Sequence, residues 1–408
     1  MESNIIASTY SPNTNIYRYT GSIKFVIDGE VFTLEALNIK SMAIDNNYRN
    51  MNMPMLFVSL AVDRRLLDKI VQGQYQSTAI FEIKRCVANS DMPDLFEDYI
   101  SDKFVYFIDE DINSNDKMDY QGANEDREDL FSIVPIGLLS LDHVNKNKKV
   151  VNGILNGKLS SIMYYLTSHL SILIEPPDNN VLFSQLVLPP INSVSKALAY
   201  LNDINVFYST KYRFFIDFEC SYLISSSGKA IKKQGEDIST VFIEILDISE
   251  VDAALQGMVI DEKQSMYRFQ VPMKDCSITD NCISEKNFTK ISATTSSGDR
   301  IEGELSNKPD GSIIDMKTKA IRIPNDNSGL IDNMVSSYDS SSIQLFVQKV
   351  DIDSSVLTIN KEYIIKADSA YKSEEYNGKY ILIEKKELYM KKDDTFVLAV
   401  MLFLEKVK

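Results

Sequence analysis

The sequence has no tryptophan, only two histidines and four cysteines, and no apolar run near the roughly 20 residues that a membrane helix needs. The missing tryptophan excludes nothing by itself. The scarcity of histidine does: His143 sits beside a polar linker and His169 on an apolar-patterned stretch, and neither lies near a Gly-x-Ser-x-Gly elbow, which the chain lacks. A lone histidine of this kind is ordinarily packed or solvated, so Ser-His-Asp hydrolysis has no support. Cys86, Cys220, Cys276 and Cys282 have the spacing of neither a zinc ribbon nor a dense disulfide framework. They read as free thiols made in a reducing cytoplasm, with a Cys276–Cys282 bridge across a loop left open. Cations are short too: 43 Lys and Arg face 58 Asp and Glu, and a net charge of −15 repels phosphate backbones and anionic lipid surfaces. The opening MESNIIASTYSPN carries neither the basic nor the apolar region of a secretory signal, so export through a channel is not expected.

Three stretches resemble chemical motifs and fail on particular residues. In Asp109 to Asp119, the residues Asp109, Asp111 and Asn113 match the first, third and fifth positions of a calcium loop. Ser114 then replaces the turn glycine and Tyr120 the bidentate glutamate, which leaves a solvated loop. The cluster Glu125 to Asp129, broken by Arg127, reads as a solvated surface. The segment Ser225 to Ala230 (SSSGKA) has Leu223 where a phosphate loop has its first glycine and Ala230 where it has the magnesium-binding hydroxyl. No catalytic residue, cofactor or metal ligand is assigned. Paired carboxylates far apart in sequence, as in glycoside cleavage, are the hardest chemistry to exclude from sequence.

What the chain does have is β-patterning, with 44% hydrophobic and 25% charged residues over 408 positions, enough for several cores. Residues 1–20 read as a polar arm that orders against something else. Ile23, Phe25 and Ile27 alternate up to Asp28-Gly29, a type I′ hairpin signal. Met55 to Val62 is a buried strand, and Asp63 caps a helix carrying Leu66, Leu67 and Ile70. Strands are expected over Ala79 to Ile83, Phe104 to Ile108 and Ile133 to Leu141, giving a first barrel-like β-domain over 21–145. A helix is expected from Val151 to Leu170 in spite of Gly153 and Gly157. Pro189 and Pro190 should stop the preceding strand. Asn192 or Ser193 should cap a helix bearing Val194, Ala197, Leu198 and Leu201. Ile216, Phe218, Cys220, Tyr222 and Ile224 alternate with Asp217, Glu219, Ser221 and Leu223, the pattern of a strand with one packed and one mostly wet face. Phe214, Phe215, Phe218 and Tyr222 could stack on sugar rings, but a core strand explains them better. These parts form an α+β middle domain over 150–235.

A β-containing region follows over 236–291, then a Ser, Asn and Gly-rich insertion over 292–342, and a second barrel-like β-domain over 343–408. The fold class is therefore α+β, β-rich and multidomain, with two barrel-like β-domains flanking an α+β middle domain.

The stretch LPPINSVSKALAYLNDINVFYSTKYRFFIDFECSYLISSSGKA resembles the middle domain of the central hub proteins of bacteriophage tails and baseplates and of contractile injection systems. NGKYILIEKKELYMKKDDTFVLAVMLFLEK (Asn377 to Lys406) resembles the closing hairpins of the hub's second barrel. The resemblance implies a homotrimer without enzymatic activity, presenting six barrel-like domains that join a six-fold tail tube to a three-fold central spike. Its partners would be tail-tube or distal tail proteins and a spike or tail-tip protein, and its place the virion, after synthesis in the host cytoplasm. DNA would pass a lumen whose carboxylates give phosphates no cationic partner. A carbohydrate-binding or surface-adhesion module of a virion is the rival, and a cell-wall hydrolase attached to a hub a third reading.

Overall fold

The computed structural model describes residues 17–87, 96–108, 132–231, 240–246, 266–272, 276–280, 288–294, 300–306, 341–347, 354–367 and 376–407. The chain opens with β1 (Tyr17–Ile27) and β2 (Glu30–Leu34), joined through Asp28 and Gly29 at φ +50° and +83°. Both central residues of a type I′ turn need positive φ, which is why Asp-Gly stands there. The expected arm therefore ends sooner than residue 20, because Tyr17 to Thr20 already belong to β1, while residues 1–16 lie outside the described residues. β3 (Ile39–Asn47) and β4 (Met55–Val62) follow, then α1 (Arg64–Gly73), whose cap Asp63 accepts a 2.8 Å hydrogen bond from the Leu66 amide. Asp63→Ala is expected to cost about 1 kcal/mol of stability, the usual worth of an N-cap, measurable in urea melts.

Three long strands come next: β5 (Thr78–Val87), β6 (Glu97–Ile108) and β7 (Ser132–Ser140), followed by α2 (Leu141–Asn147). The acidic stretches Asp109 to Asp119 and Glu125 to Asp129 fall outside the described residues.

In the middle of the chain, β8 (Val151–Lys158) precedes α3 (Leu159–Thr167), β9 (Ile172–Ile174), β10 (Leu182–Ile191), α4 (Val194–Ile204), β11 (Tyr212–Phe215) and β12 (Ser221–Ser225). Three expectations are corrected here. The helix read over Val151 to Leu170 is a strand for its first half. Gly153 and Gly157 take φ +119° and +125°, values no helix uses, and the spacing that looks helical comes from a strand running into a helix. Pro189 and Pro190 do not stop β10, which runs through them to Ile191. Among the described residues β10 pairs only with β8, and its register shifts between Leu188 and Ile191, so the missing amides break no ladder bond. The alternating strand read over Ile216 to Ile224 is interrupted at an exposed Glu219, and where it resumes as β12 its second face is not wet: every residue of β12 is buried. Ser193 does cap α4, accepting from the Lys196 amide, and Val194, Ala197, Leu198 and Leu201 are its buried face.

The reason for the fully buried β12 lies in two cores that meet at one small sheet. β9, β12 and β11 form it, β12 in the centre. Phe214, Ile216 and Leu223 pack into a cluster with Leu159, Ile162 and Leu166 of α3 and the buried face of α4. Phe215, Cys220, Tyr222 and Ile224, of opposite parity, pack into the large core of the strands around them. A strand with a core on each side has no polar face to show.

The rest of the chain supplies β13 (Thr240–Leu246), β14 (Met266–Pro272), β15 (Cys276–Asp280), β16 (Phe288–Thr294), β17 (Arg300–Ser306), β18 (Ser341–Val347), a 3₁₀ turn (Ser354–Val356), β19 (Glu362–Ala367), β20 (Gly378–Lys392) and β21 (Thr395–Lys406). β16 and β17 pair antiparallel across the start of the polar insertion read over 292–342, of which 295–299 and 307–340 lie outside the described residues. Cys282 is also outside them.

Pairing closes a ring of eight strands, β1, β5, β6, β7, β4, β3, β20 and β21, all antiparallel, with one bridge, Tyr19 to Phe396, completing the seam between β1 and β21. β20 and β21 are long enough to serve two sheets. The start of β20 pairs with β19, its remainder with β3, and the change falls at a bulge between Leu382 and Glu384. The end of β21 pairs with β18. A second sheet, in the order β14, β13, β19, β20, β21, β18, β15, thus grows from the same hairpin. The sequence pattern assigns this hairpin to a second barrel alone; its hydrogen bonds give it to the ring as well. The fold class is the expected one, β-rich with an α+β middle.

Candidate functional site: a filled ring and an apolar ribbon

The ring has no bore. Eight strands leave an interior just wide enough for side chains, and Ile23, Phe25, Phe81, Phe104, Tyr106 and Leu138, each fully buried, belong to the core it encloses. Among these apolar residues β20 places a buried ion pair. Lys385 Nζ lies 2.9 Å from Glu387 Oε1 and donates to the Ser354 carbonyl at 3.0 Å. The Tyr389 hydroxyl donates to Glu387 Oε2 at 2.9 Å. Burial, reinforced by the Glu387 charge, pushes that hydroxyl far above its usual pKa range. Tyr19 packs edge-on against both Tyr389 and Tyr99, at 5.1 and 5.7 Å between centroids, and the Tyr99 hydroxyl lies 2.8 Å from Ser354 Oγ. No sequence signal marked Lys385 or Glu387; the alternation of KKEL inside an apolar strand was the available one.

Asp217 and Glu219 approach this pair across a cavity of about 90 Å³, also lined by Glu387 and Tyr222. Burial raises the Asp217 carboxyl against the lowering effect of Lys385. Converging carboxylates are the one arrangement the sequence could not exclude, so size decides. The cavity holds about three waters at ~30 Å³ each, whereas ligand sites start near ~300 Å³. A sugar ring does not fit.

His143 is buried on α2, its ring 4.9 Å from that of Phe218, and its Nδ1 has no hydrogen-bond partner. Burial lowers its pKa to about 4, with Asp102 pulling the other way and Lys146 adding to the drop. It is a neutral core residue. His169 lies just beyond α3 and on the surface, its Nε2 2.7 Å from the Lys146 carbonyl. Phe214, Phe215 and Tyr222 are buried and Phe218 packs half-buried against the large core, so they offer no face to a sugar. Gly228 turns the chain at φ +68° beside the side chains of Ile381 and Val407, so the SSSGKA segment is a packed turn. Cys86 and Cys220 are buried. Among the described residues no group of three or more His, Cys, Asp or Glu could hold a metal ion, and no helix is long and apolar enough to cross a membrane.

The feature that does face outward is the two-stranded ribbon β8–β10. Its inner face, with Val151, Leu186 and Leu188, lies in the core of α3 and α4. Its outer face sets Ile154 directly opposite Val187, 64% and 62% exposed, with Leu182 at 70% farther along. Tyr164 and Tyr165 on α3 and Val150 are exposed as well. Among the described residues neither strand pairs with anything on its other side. Open edges and exposed branched side chains on one short ribbon are the features by which sheets recruit another chain.

Fold and surface together define a β-rich protein with a closed, filled ring, a second sheet on the same hairpin and a ribbon left open to a neighbour. The chain belongs to the bacteriophage PBS1 gene 109 protein family, whose model matches residues 13–407. Solved structures similar to it include the tail protein from Neisseria meningitidis MC58, at 8% identity and a TM-score of 0.46 over 95% of this chain and 96% of that one. The 43 kDa tail protein of prophage MuSo2 from Shewanella oneidensis is similar at 9% and 0.44, over 94% and 96%. The E. coli c3393 protein, a component of the type VI secretion system, is similar at 6% and 0.40, over 90% and 73%. No curated protein matches the chain in sequence.

Proposed function

We propose that this protein is a structural component of a bacteriophage tail, the central hub of its tip or baseplate, without enzymatic activity. The single observation that carries the assembly role is the β8–β10 ribbon, an apolar face with two open edges on a protein of a bacteriophage family. The hub-like order of parts read from the sequence supports the finer reading, a homotrimer joining a six-fold tube to a three-fold spike through two ring-like surfaces per subunit. The packed interior of the eight-strand ring adds a constraint. DNA cannot run through a subunit, so the passage lies between copies, where the net charge of −15 lets it slide without being held.

Light scattering of the purified protein tests this, with the trimer mass expected. Ile154→Glu combined with Val187→Glu puts like charges on directly opposed positions of the outer face, which costs the ribbon about 1 kcal/mol or less. At least a tenfold weaker self-association is expected, with the circular dichroism spectrum unchanged, since both side chains lie in solvent. A wild-type monomer that binds polysaccharide would replace the hub reading with surface adhesion.

A further inference from the structure

A second opening lies away from the ribbon, where the middle of the chain meets the shared hairpin. It is a cavity of about 490 Å³, within the size range of ligand sites. Arg49, Lys211, Arg213 and Lys406 line it against one acid, Glu405. A cationic cavity in a chain of net charge −15 is not a sample of the average surface.

The cations are not equally engaged. Arg49 is ion-paired with Glu405. Arg213 is 6% exposed, and its two terminal nitrogens donate to the carbonyls of Leu382 and Ile359. Its Nε–H is buried with no partner. Lys211 is half-buried, and its ammonium makes no hydrogen bond or ion pair among the described residues. Burial and the nearby Arg49 charge lower its pKa to about 8. Among the described residues the Lys211 ammonium is therefore a cation at the cavity without an acceptor, while the orphaned Arg213 Nε–H is sealed inside the protein. A half-buried cation left unmatched gains a charge-assisted hydrogen bond when an acceptor is supplied from outside. The remaining wall joins the apolar Ile381, Ile383 and Val407 to the polar Thr210, Ser226 and Ser227.

We propose that this cavity binds a carboxylate carried on a short apolar stem. A carboxylate oxygen takes the Lys211 ammonium, with the Arg213 guanidinium adding positive charge beside it, and the stem lies against Ile381 and Ile383. Charge and the apolar part of the wall select the class. One unmatched ammonium suits a monoanion, whereas a phosphate dianion asks for more charge and gains nothing from Ile381 and Ile383. The proposal stands whether or not the protein is a tail hub.

Valerate and inorganic phosphate are the probes, each at the same ionic strength, on the full chain. Lys211 is acetylated with limiting acetic anhydride at pH 8 and the product mapped by mass spectrometry, with Lys24 on the ring as internal reference. Valerate is expected to slow acetylation of Lys211 at least fivefold without affecting Lys24, and phosphate less than twofold. Lys211→Met, which keeps the stem and removes the charge, should weaken valerate binding at least tenfold in calorimetric titration, while circular dichroism stays that of the wild type. No protection by valerate, or full binding in Lys211→Met, overturns the site. Better protection by phosphate overturns the carboxylate assignment. Light scattering then identifies the source: valerate that separates copies assigns the occupant to an acidic side chain of a second copy. Valerate that leaves the mass unchanged assigns it to a free or foreign carboxylate.

Discussion

Glu387→Gln is expected to lower the stability of the protein by about 3–5 kcal/mol, the range for breaking a buried ion pair from one side. The substitution keeps the shape of the side chain and an acceptor for the Tyr389 hydroxyl. It leaves the Lys385 ammonium charged, buried and held only by the Ser354 carbonyl. Removing both charges is a different experiment. In Lys385→Met combined with Glu387→Leu no charge of the pair is left buried, although the Tyr389 hydroxyl and the Ser354 carbonyl lose their partners. The double variant should therefore lose less stability than Glu387→Gln alone. Urea melts followed by the near-ultraviolet circular dichroism of the tyrosines measure both. A single variant costing less than about 1 kcal/mol would show that water reaches Lys385 from the cavity beside Asp217 and solvates it.

The second large effect is a pH dependence carried by His143. Its imidazole is held neutral by burial, with a pKa of about 4 in the folded protein against 6.5 outside it. Between these values the unfolded chain binds a proton that the folded chain refuses, so stability rises with pH there and falls on acidification. The loss begins near pH 6.5, is complete near pH 4 and amounts to about 3 kcal/mol. Asp45 and Asp217, whose pKa values burial raises, act in the opposite sense at the acid end. The difference between wild type and His143→Leu therefore isolates the histidine: the stability of wild type minus that of the variant should fall by about 3 kcal/mol as the pH falls from 6.5 to 4. Parallel curves would mean that the folded imidazole takes up its proton as readily as a solvated one.

Strand periodicity, the Asp28-Gly29 turn and the caps Asp63 and Ser193 were legible because each is a local rule obeyed locally. The α4 face of Val194, Ala197, Leu198 and Leu201 was legible for the same reason. What failed had a non-local cause. Val151 to Leu170 mimics one helical face because a strand and a helix happen to present apolar residues in phase, and only the positive φ of its glycines separates them. Leu223 was read as facing water because nothing in the sequence says that α3 and α4 cover the second face of β12. The double use of β20 and β21 could not be read either, since a strand of 15 residues looks the same whether it serves one sheet or two. The outward ribbon was hidden by the helix reading of Val151 to Lys158, and the cationic cavity because Arg49, Arg213 and Lys406 meet only in three dimensions.

The seam between Tyr19 and Phe396 sets a timetable for making this protein. Those two residues are hydrogen-bonded neighbours in the finished ring, yet hundreds of peptide bonds are made between one and the other. At roughly 5–20 residues per second a ribosome takes from about 20 s to more than a minute to cover that interval. Throughout it, the Tyr19 end of β1 and the edge of β3 that takes β20 wait for partners not yet translated. Any cell making this chain must keep those half-built sheets apart, and crowded polysomes on the same message are where they would stick together first.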